Sequence, residues 1–385
     1  MNTFEKDKQY IAGTYARFPV EIVSGKGSIA VAEDGKTYLD MGAGIAVNAF
    51  GYSDDEWIAA VKRQLDLFQH TSNLYYASPC ASLAEALCEK TGYKKVFFGN
   101  SGAEANECAI KIARKWGEEK GKSEIVTLVN SFHGRTITTL SATGQDVFHK
   151  HFGPFTEGFS YVPANDVPAL RAAVTEKTAA VMLEFVQGEG GVNVLDEAFV
   201  KAVFDLAKEK DFLVIADEVQ TGNGRTGKYF ASEHFGVMPD VTTTAKGLGG
   251  GLPIGACLIG EKAENVLSSG DHGSTFGGNP VVCAGALSVV NRIDDKLLAS
   301  VAEKGEYIKN KLSGKEGVLS VAGMGLMLGV KTVFDSRAVV NACLKKGVLF
   351  LTAKDKVRLL PALNVPYEVI DEALDVLLAM LKEGV

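Results

Sequence analysis

Five short apolar runs in the middle of the chain constrain its fold more than any other feature. They occupy residues 96–98, 125–129, 180–185, 213–216 and 255–259. They are too short for helices, and they do not alternate as strands with one wet face do. Segments of helical periodicity separate several of them. One opens near Ala103, and another, residues 198–208, carries Phe199, Val203, Phe204 and Leu206 on a broad apolar face. Unbroken apolar strands joined by helices predict an α/β fold with a mostly parallel sheet covered on both faces. Ligands bind such sheets beyond the carboxyl ends of the strands. Chemistry is therefore expected in the residues that follow each run.

The run 213–216 ends in Asp217-Glu218-Val219-Gln220. Alone, Asp217 reads equally as a helix cap or turn residue and as the partner of a buried cation, such as a protonated ring nitrogen. Lys246 stands between Thr242-Thr243-Thr244-Ala245 and Gly247-Leu248-Gly249-Gly250-Gly251, a stretch with few other charges. An isolated lysine is usually a solvated surface charge. A desolvated lysine has a lowered pKa and forms a Schiff base with an aldehyde. An acid and an amine at two strand ends can hold a heterocyclic cofactor between them, which is the equipment of a pyridoxal-phosphate (PLP) enzyme.

Two other strand ends add to this set. Asn100-Ser101-Gly102-Ala103-Glu104 follows the run 96–98 and opens a helix, whose free backbone N–H groups suit a phosphate. Ser101 and Glu104 also spell a capping box, and both readings can hold together. Ser131-Phe132-His133-Gly134-Arg135 follows the run 125–129. Phe132 suits stacking on a flat ring, although an ordinary core phenylalanine looks the same. Arg135 suits a bidentate clamp on a substrate carboxylate. His133 suits a supporting place behind the reacting groups.

Two motifs point elsewhere. Gly222-Asn223-Gly224-Arg225-Thr226-Gly227-Lys228 resembles a phosphate loop of nucleotide hydrolases, but Tyr229 stands where that loop needs Ser or Thr for magnesium. His149 and His151 have no carboxylate or cysteine cluster beside them and read as solvated, so no metal site is expected. The net charge of -7 argues against nucleic acid or an anionic membrane as the main partner. No apolar run reaches the ~18 residues needed to span a bilayer, and the polar stretch from Met1 to Lys8 lacks the apolar core of a signal peptide. Six cysteines without any Cys-x-x-Cys read as free thiols in a reducing compartment, so a cytoplasmic protein is expected.

A chain of 385 residues suggests two domains. Residues 28–33 and 36–40 flank Asp34-Gly35 and predict a hairpin. Helical patterns dominate residues 280–312. Short β-like pieces follow at 319–321, 326–330 and 357–360, and residues 369–381 read as an amphipathic helix. The expected division is a large cofactor-binding domain, residues 50–275, and a small α+β domain built from both ends, residues 1–49 and 276–385.

These residues make the chain resemble the class III (ω-amino acid) aminotransferases, PLP enzymes of the aspartate aminotransferase fold type I. The resemblance runs through Thr14-Tyr15-Ala16-Arg17-Phe18-Pro19, Gly44-Ile45-Ala46-Val47-Asn48 and Ser72-Asn73-Leu74-Tyr75-Tyr76. It continues through the Asn100, Ser131 and Asp217 segments, Gln187-Gly188-Glu189-Gly190-Gly191, the stretch from Ala245 to Gly251, and His272-Gly273-Ser274-Thr275-Phe276-Gly277-Gly278-Asn279-Pro280. It implies PLP as cofactor, an acylated or free diamino acid and 2-oxoglutarate as small-molecule substrates, and a homodimer with shared active sites.

Residue by residue, the resemblance implies that Lys246 carries the cofactor and shuttles a proton, and that Asp217 pairs with the pyridine nitrogen. Phe132 and Val219 would sandwich the ring, and Gln220 would contact its hydroxyl, with Glu218 counted beside it. Ser101, Gly102 and Ala103 would hold the phosphate, which Thr275 would complete from the other subunit. Tyr15, Arg135 and Ser274 are implied substrate contacts. Arg358, in Arg358-Leu359-Leu360-Pro361, resembles the second carboxylate-binding arginine. Glu189 resembles the glutamate that pairs with it when no dicarboxylate is bound. Gly44 stands where ornithine-specific members carry an aromatic, which leaves room for an acyl group on the donor. Phe185, Gly51-Tyr52-Ser53, Ser274 and Ala362 depart from the family pattern without removing a catalytic group. Decarboxylases and aminomutases share the fold and stay as alternatives.

Overall fold

The computed structural model describes residues 1–385. At its centre lies a seven-stranded sheet in the order Lys95–Gly99, Gly255–Ile259, Val241–Thr244, Leu213–Asp217, Thr178–Leu183, Glu124–Leu128, Phe159–Val162. Leu213–Asp217 and Glu124–Leu128 each pair in parallel with both neighbours. Gly255–Ile259 alone runs antiparallel to its neighbours. The sheet is thus mostly parallel, as the apolar runs predicted. Thr178–Leu183, Leu213–Asp217 and Gly255–Ile259 are buried at every position, which is why their sequences show no polar face.

Side-chain alternation sends Leu213 and Ile215 to one face of the sheet, among Ile110, Ile112 and Cys257. Val214 and Ala216 point to the other, among Phe199, Val203 and Leu206. The helices Gly102–Glu118 and Glu197–Lys210 supply these two covers. Two strands have no counterpart among the predicted runs. Phe159–Val162 is a half-exposed edge strand. Val241–Thr244 is mostly threonine, yet fully buried. Its β-branched side chains fit a strand, and its hydroxyls find partners indoors. Thr243 Oγ1 donates to Asn106 Oδ1 at 2.6 Å, and Thr244 Oγ1 accepts from Asn223 Nδ2 at 2.8 Å.

Residues from both ends of the chain build two smaller sheets. The predicted hairpin, Ile29–Ala32 and Thr37–Asp40, pairs Ile29 with Leu39. It is flanked by Ile22–Lys26, and Val348–Leu349 joins Thr37–Asp40 in parallel. The other sheet runs Val318–Met324, Met327–Thr332, Lys356–Leu359, Leu351–Ala353. The helix Tyr367–Glu383 buries Ile370, Ala373, Leu374, Leu377 and Leu381 on one side. The helical stretch after residue 280 is two helices, Pro280–Arg292 and Asp295–Leu312. Asp294 divides them by accepting the Leu297 N–H as the cap of the second. Pro280–Arg292 packs on Asp55–Leu65 and Ser78–Thr91, next to the central sheet. All six cysteines are free thiols, and no helix is long and apolar enough to cross a membrane.

Candidate active site

A cavity of about 460 Å³ opens beyond the carboxyl ends of the central strands. Asp217 and Lys246 both line it. Asp217 closes its strand on the face of helix Gly102–Glu118, where Asn106 meets it. Its Oδ2 accepts from Asn106 Nδ2 at 2.8 Å and from His133 Nδ1 at 2.7 Å, and its Oδ1 accepts the Val219 N–H at 3.0 Å. Asn106 is itself fixed, because it also donates to the His133 carbonyl and accepts from Thr243. A carboxylate partner requires the His133 proton on Nδ1. The other ring nitrogen, Nε2, is buried without a partner.

Lys246 follows strand Val241–Thr244 in a left-handed conformation, with φ of +46°. Burial pushes its ammonium group below the usual lysine range, against the opposing pull of the Asp217, Glu189 and Glu184 carboxylates. The amine is thereby brought nearer to its nucleophilic free-base form.

Ser101, Gly102 and Ala103 line another part of the wall. Ser101 caps helix Gly102–Glu118, its Oγ accepting the Glu104 N–H at 3.2 Å, while its carbonyl takes the Ala105 N–H. The N–H groups of Gly102 and Ala103 have no helical carbonyl ahead of them and are free for an anion. The expected capping box is modified. The Glu104 carboxylate reaches the N–H of Asn100 at 2.9 Å rather than that of Ser101. Gly102 is required by a close approach, since a Cβ there would lie 2.7 Å from Val219 Cγ1.

Phe132 and Val219 also line the cavity, with Gln220 and Glu189. Arg358 Nη1 donates to Glu189 Oε1 at 2.6 Å and to Gln220 Oε1 at 3.1 Å, and Gln220 Nε2 donates to Glu189 Oε1 at 3.3 Å. Burial raises the Glu189 carboxyl, but the charge and hydrogen bond of Arg358 outweigh it and hold the group below its ordinary value. Arg358 is buried behind Glu189 and does not line the cavity, and its Nε has no partner. Arg135 lines the cavity with its guanidinium carbon 4.1 Å from the centre of the Phe148 ring.

Several expected residues lie elsewhere in the single chain. Glu218 is fully buried on the far face of the sheet, where it accepts the Ser232 N–H at 2.9 Å and the Thr221 hydroxyl. Strand alternation separates it from Asp217. Tyr15 is exposed. Gly44 borders an apolar groove of about 380 Å³, inside a left-handed turn in which Ala43, Gly44, Ile45 and Ala46 all have positive φ. Asp40 Oδ1 holds the start of that turn by accepting the N–H groups of Gly42 and Ala43, each at 2.9 Å. Ser274 Oγ accepts from Asn100 Nδ2 at 3.0 Å, outside the cavity. Thr275 lines a separate hollow with Ser72, Asn73 and Tyr76.

Two polar cavity residues, Asn106 and Glu184, were given no role by the sequence reading. The role of Asn106 gave no local signal, because its partner Asp217 is 111 residues away. Glu184 did give one, as the lone acid in the apolar run 180–185. Burial, reinforced by the charge of Asp217, pushes its carboxyl up to about 7, against His133 and the donors Phe132 and Gly188. The sequence that resembled a nucleotide loop has another use. Arg225 is fully buried, and it donates to the carbonyls of Leu326, at 3.2 Å, and Pro361. His149 Nε2 lies 2.8 Å from the Leu140 carbonyl.

The donor set matches PLP. It offers an amine for the aldehyde, a fixed carboxylate for the ring nitrogen, an aromatic wall for the ring face and a helix start for the phosphate. The family model for class-III aminotransferases matches residues 10–381. The chain is 49% identical to the acetylornithine aminotransferase of Haemophilus ducreyi, over 98% of each protein. It is 46% identical to that of Methanocaldococcus jannaschii, over 98% of this chain and 97% of the other. Among solved structures, the ornithine aminotransferase of Toxoplasma gondii has a TM-score of 0.93 at 33% identity, over 98% of this chain and 93% of that one, and PLP partly occupies its active site. The N-acetylornithine aminotransferase of Stenotrophomonas maltophilia has a TM-score of 0.83 at 35% identity, over 96% of this chain and 97% of that one.

Proposed function

The chain belongs to the class-III aminotransferases, and from that membership we propose that it acts on N-acetylornithine. It is a PLP-dependent transaminase of fold type I. The δ-amino group passes to 2-oxoglutarate, giving N-acetylglutamate 5-semialdehyde and glutamate, a step of arginine biosynthesis. The observation that carries the two-substrate reading is the Glu189–Arg358 pair at 2.6 Å on the edge of the cavity that holds Lys246 and Asp217. Bound there, PLP supplies an electrophilic aldehyde and a ring that accepts electrons from the carbon losing its proton.

The chain's own residues do the rest. We assign Lys246 Nζ to hold the cofactor and then, as free base, to move the proton of the donor carbon. Asp217, supported by Asn106 and His133, keeps a proton on the ring nitrogen. Phe132 and Val219 flank the ring, Gln220 meets its hydroxyl, and the N–H groups of Gly102 and Ala103 with the Ser101 hydroxyl take the phosphate. Arg135 takes the carboxylate near the reacting carbon chain; Tyr15, Gly44 and Ser274 lie outside the cavity of the single chain, and we assign them to the donor side of the assembled enzyme. Glu189 masks Arg358 while an acylated monocarboxylate donor is bound and yields it to the second carboxylate of 2-oxoglutarate. One pocket thereby serves two substrates in a ping-pong cycle.

A homodimer is part of the proposal. Leu74, Tyr75, Tyr76 and Phe276 are exposed around the hollow that Thr275 lines. Large apolar side chains clustered in this way mark a protein–protein surface. Thr275 is assigned to the phosphate of the opposite site. The free thiols support a cytoplasmic location.

The test is a screen of acylated and free diamines against 2-oxoglutarate with purified enzyme. N-acetylornithine is expected to show the highest kcat/KM. A succinylated donor or free ornithine outperforming it tenfold would reassign the substrate within the family. Release of carbon dioxide, or turnover without a 2-oxo acid, would sink the transamination reading.

A further inference from the structure

Glu184 stands at the carboxyl end of the strand Thr178–Leu183, lines the cavity and makes no ion pair. A buried carboxyl with no cation within ion-pair distance is costly to ionise, and burial pushes this one up to about 7. The structure offsets that cost with two backbone donors from two different loops. Glu184 Oε1 accepts the Phe132 N–H at 2.9 Å, and Oε2 accepts the Gly188 N–H at 3.1 Å. Phe132 is a wall of the cavity. Gly188 directly precedes Glu189, whose carboxylate holds Arg358. A side chain that exchanges partners during a cycle needs a fixed base to swing from, and a ring-facing wall needs a fixed backbone.

We propose that Glu184 is a positioning residue whose two oxygens clamp Phe132 and Gly188 to one buried strand, holding the aromatic wall in register with the loop that exchanges Arg358 between Glu189 and substrate. This rests on the transaminase reading and adds a residue to it. Glu184 hydrogen-bonds to neither Lys246 nor Arg358, only to the Phe132 and Gly188 N–H groups. Its influence is therefore unequal: the dicarboxylate half of the cycle, which needs Glu189 to move and return, depends on the clamp more than the acyl-donor half does.

The experiment compares wild type, Glu184→Gln and Glu184→Ala as holoenzymes. Glutamine keeps the shape but has one acceptor oxygen. Its amide nitrogen must face the second N–H, donor against donor, so one of the two ties is lost. Alanine loses both. The readouts are KM for 2-oxoglutarate, KM for N-acetylornithine, kcat, the visible spectrum, PLP affinity on titration into apoenzyme, and the melting temperature.

Glu184→Gln is expected to raise KM for 2-oxoglutarate about tenfold, with KM for N-acetylornithine and kcat within about threefold of wild type. Glu184→Ala should go further and also weaken PLP affinity about tenfold with a shifted spectrum. Unchanged 2-oxoglutarate KM and PLP affinity in both folded variants overturn the clamp. So does an equal rise of both KM values alongside a falling melting temperature, the mark of general loosening. A wild-type enzyme that transaminates no diamine defeats the parent reading instead, and the PLP titration still judges the clamp by itself.

Discussion

Replacing Arg358 by alanine tests the two-substrate proposal most directly. In the free enzyme the guanidinium is buried and gives Nη1 to both Glu189, at 2.6 Å, and Gln220, at 3.1 Å. A hydrogen bond to a charged group is worth about 1.5–3 kcal/mol, and a bidentate carboxylate contact lies at the upper end of that range. Loss of about 3 kcal/mol of binding corresponds to roughly 100-fold in affinity. Arg358→Ala should therefore raise KM for 2-oxoglutarate about 100-fold. The half-reaction with N-acetylornithine, whose single carboxylate is assigned to Arg135, should change by less than about fivefold.

The resting enzyme loses less. The Glu189 side chain remains 33% exposed, so water screens its charge once Arg358 is gone, and the stability cost is about 1 kcal/mol. Its pH signature has a definite sign. Arg358 holds the Glu189 carboxyl below its ordinary value. The stability this contributes is present above the unfolded carboxylate pKa and lost as pH falls through the lower folded one. Arg358→Ala should accordingly flatten the acid limb of wild-type stability. Stopped-flow absorbance of the two half-reactions, measured separately, gives the kinetic answer. A 2-oxoglutarate KM within twofold of wild type, or equal losses in both halves, would refute the exchange of Arg358 between Glu189 and substrate.

Three further outcomes are expected. Asp217→Ala removes the acceptor for both Asn106 and His133; losing the charge that keeps the ring nitrogen protonated is worth about three pKa units, or roughly 1000-fold in rate, and retention of normal activity and visible absorbance would exclude the assignment. Gly44→Tyr forces a bulky residue into a position with φ of +64°, which costs about 1–2 kcal/mol; it should harm N-acetylornithine more than ornithine, and equal kcat/KM losses count against Gly44 as the determinant of acyl specificity. Burial, aided by Asp217, pushes the Glu218 carboxyl up to about 7. Its stabilising contribution is full below the unfolded carboxyl value and lost as pH rises through about 7, so wild type should lose about 3 kcal/mol relative to Glu218→Gln over that interval; melting curves showing the opposite slope would contradict it.

The sequence by itself determined the layered architecture and the ends of the strands. Residues 180–185 and 213–216 are apolar at nearly every position because both sheet faces are covered, and that signal is local. Asp217 was legible because it follows an apolar run directly, Ser101 because it opens a helix just beyond another, Lys246 because it stands alone before a glycine-rich turn, and the hairpin around Asp34-Gly35 because its turn chemistry is local. Val241–Thr244 was not legible as a strand, since its threonines are buried only by virtue of partners such as Asn106 and Asn223.

Tertiary structure alone decided which polar groups meet. It placed Glu189 against Arg358 across 169 residues and turned Glu218 away from the cavity that Asp217 enters. It also made Glu184 a tie between two loops rather than a surface acid. Burial and secondary structure follow the pattern of neighbouring residues, but a hydrogen bond or ion pair depends on the positions of two distant atoms. Only the packed chain specifies those positions.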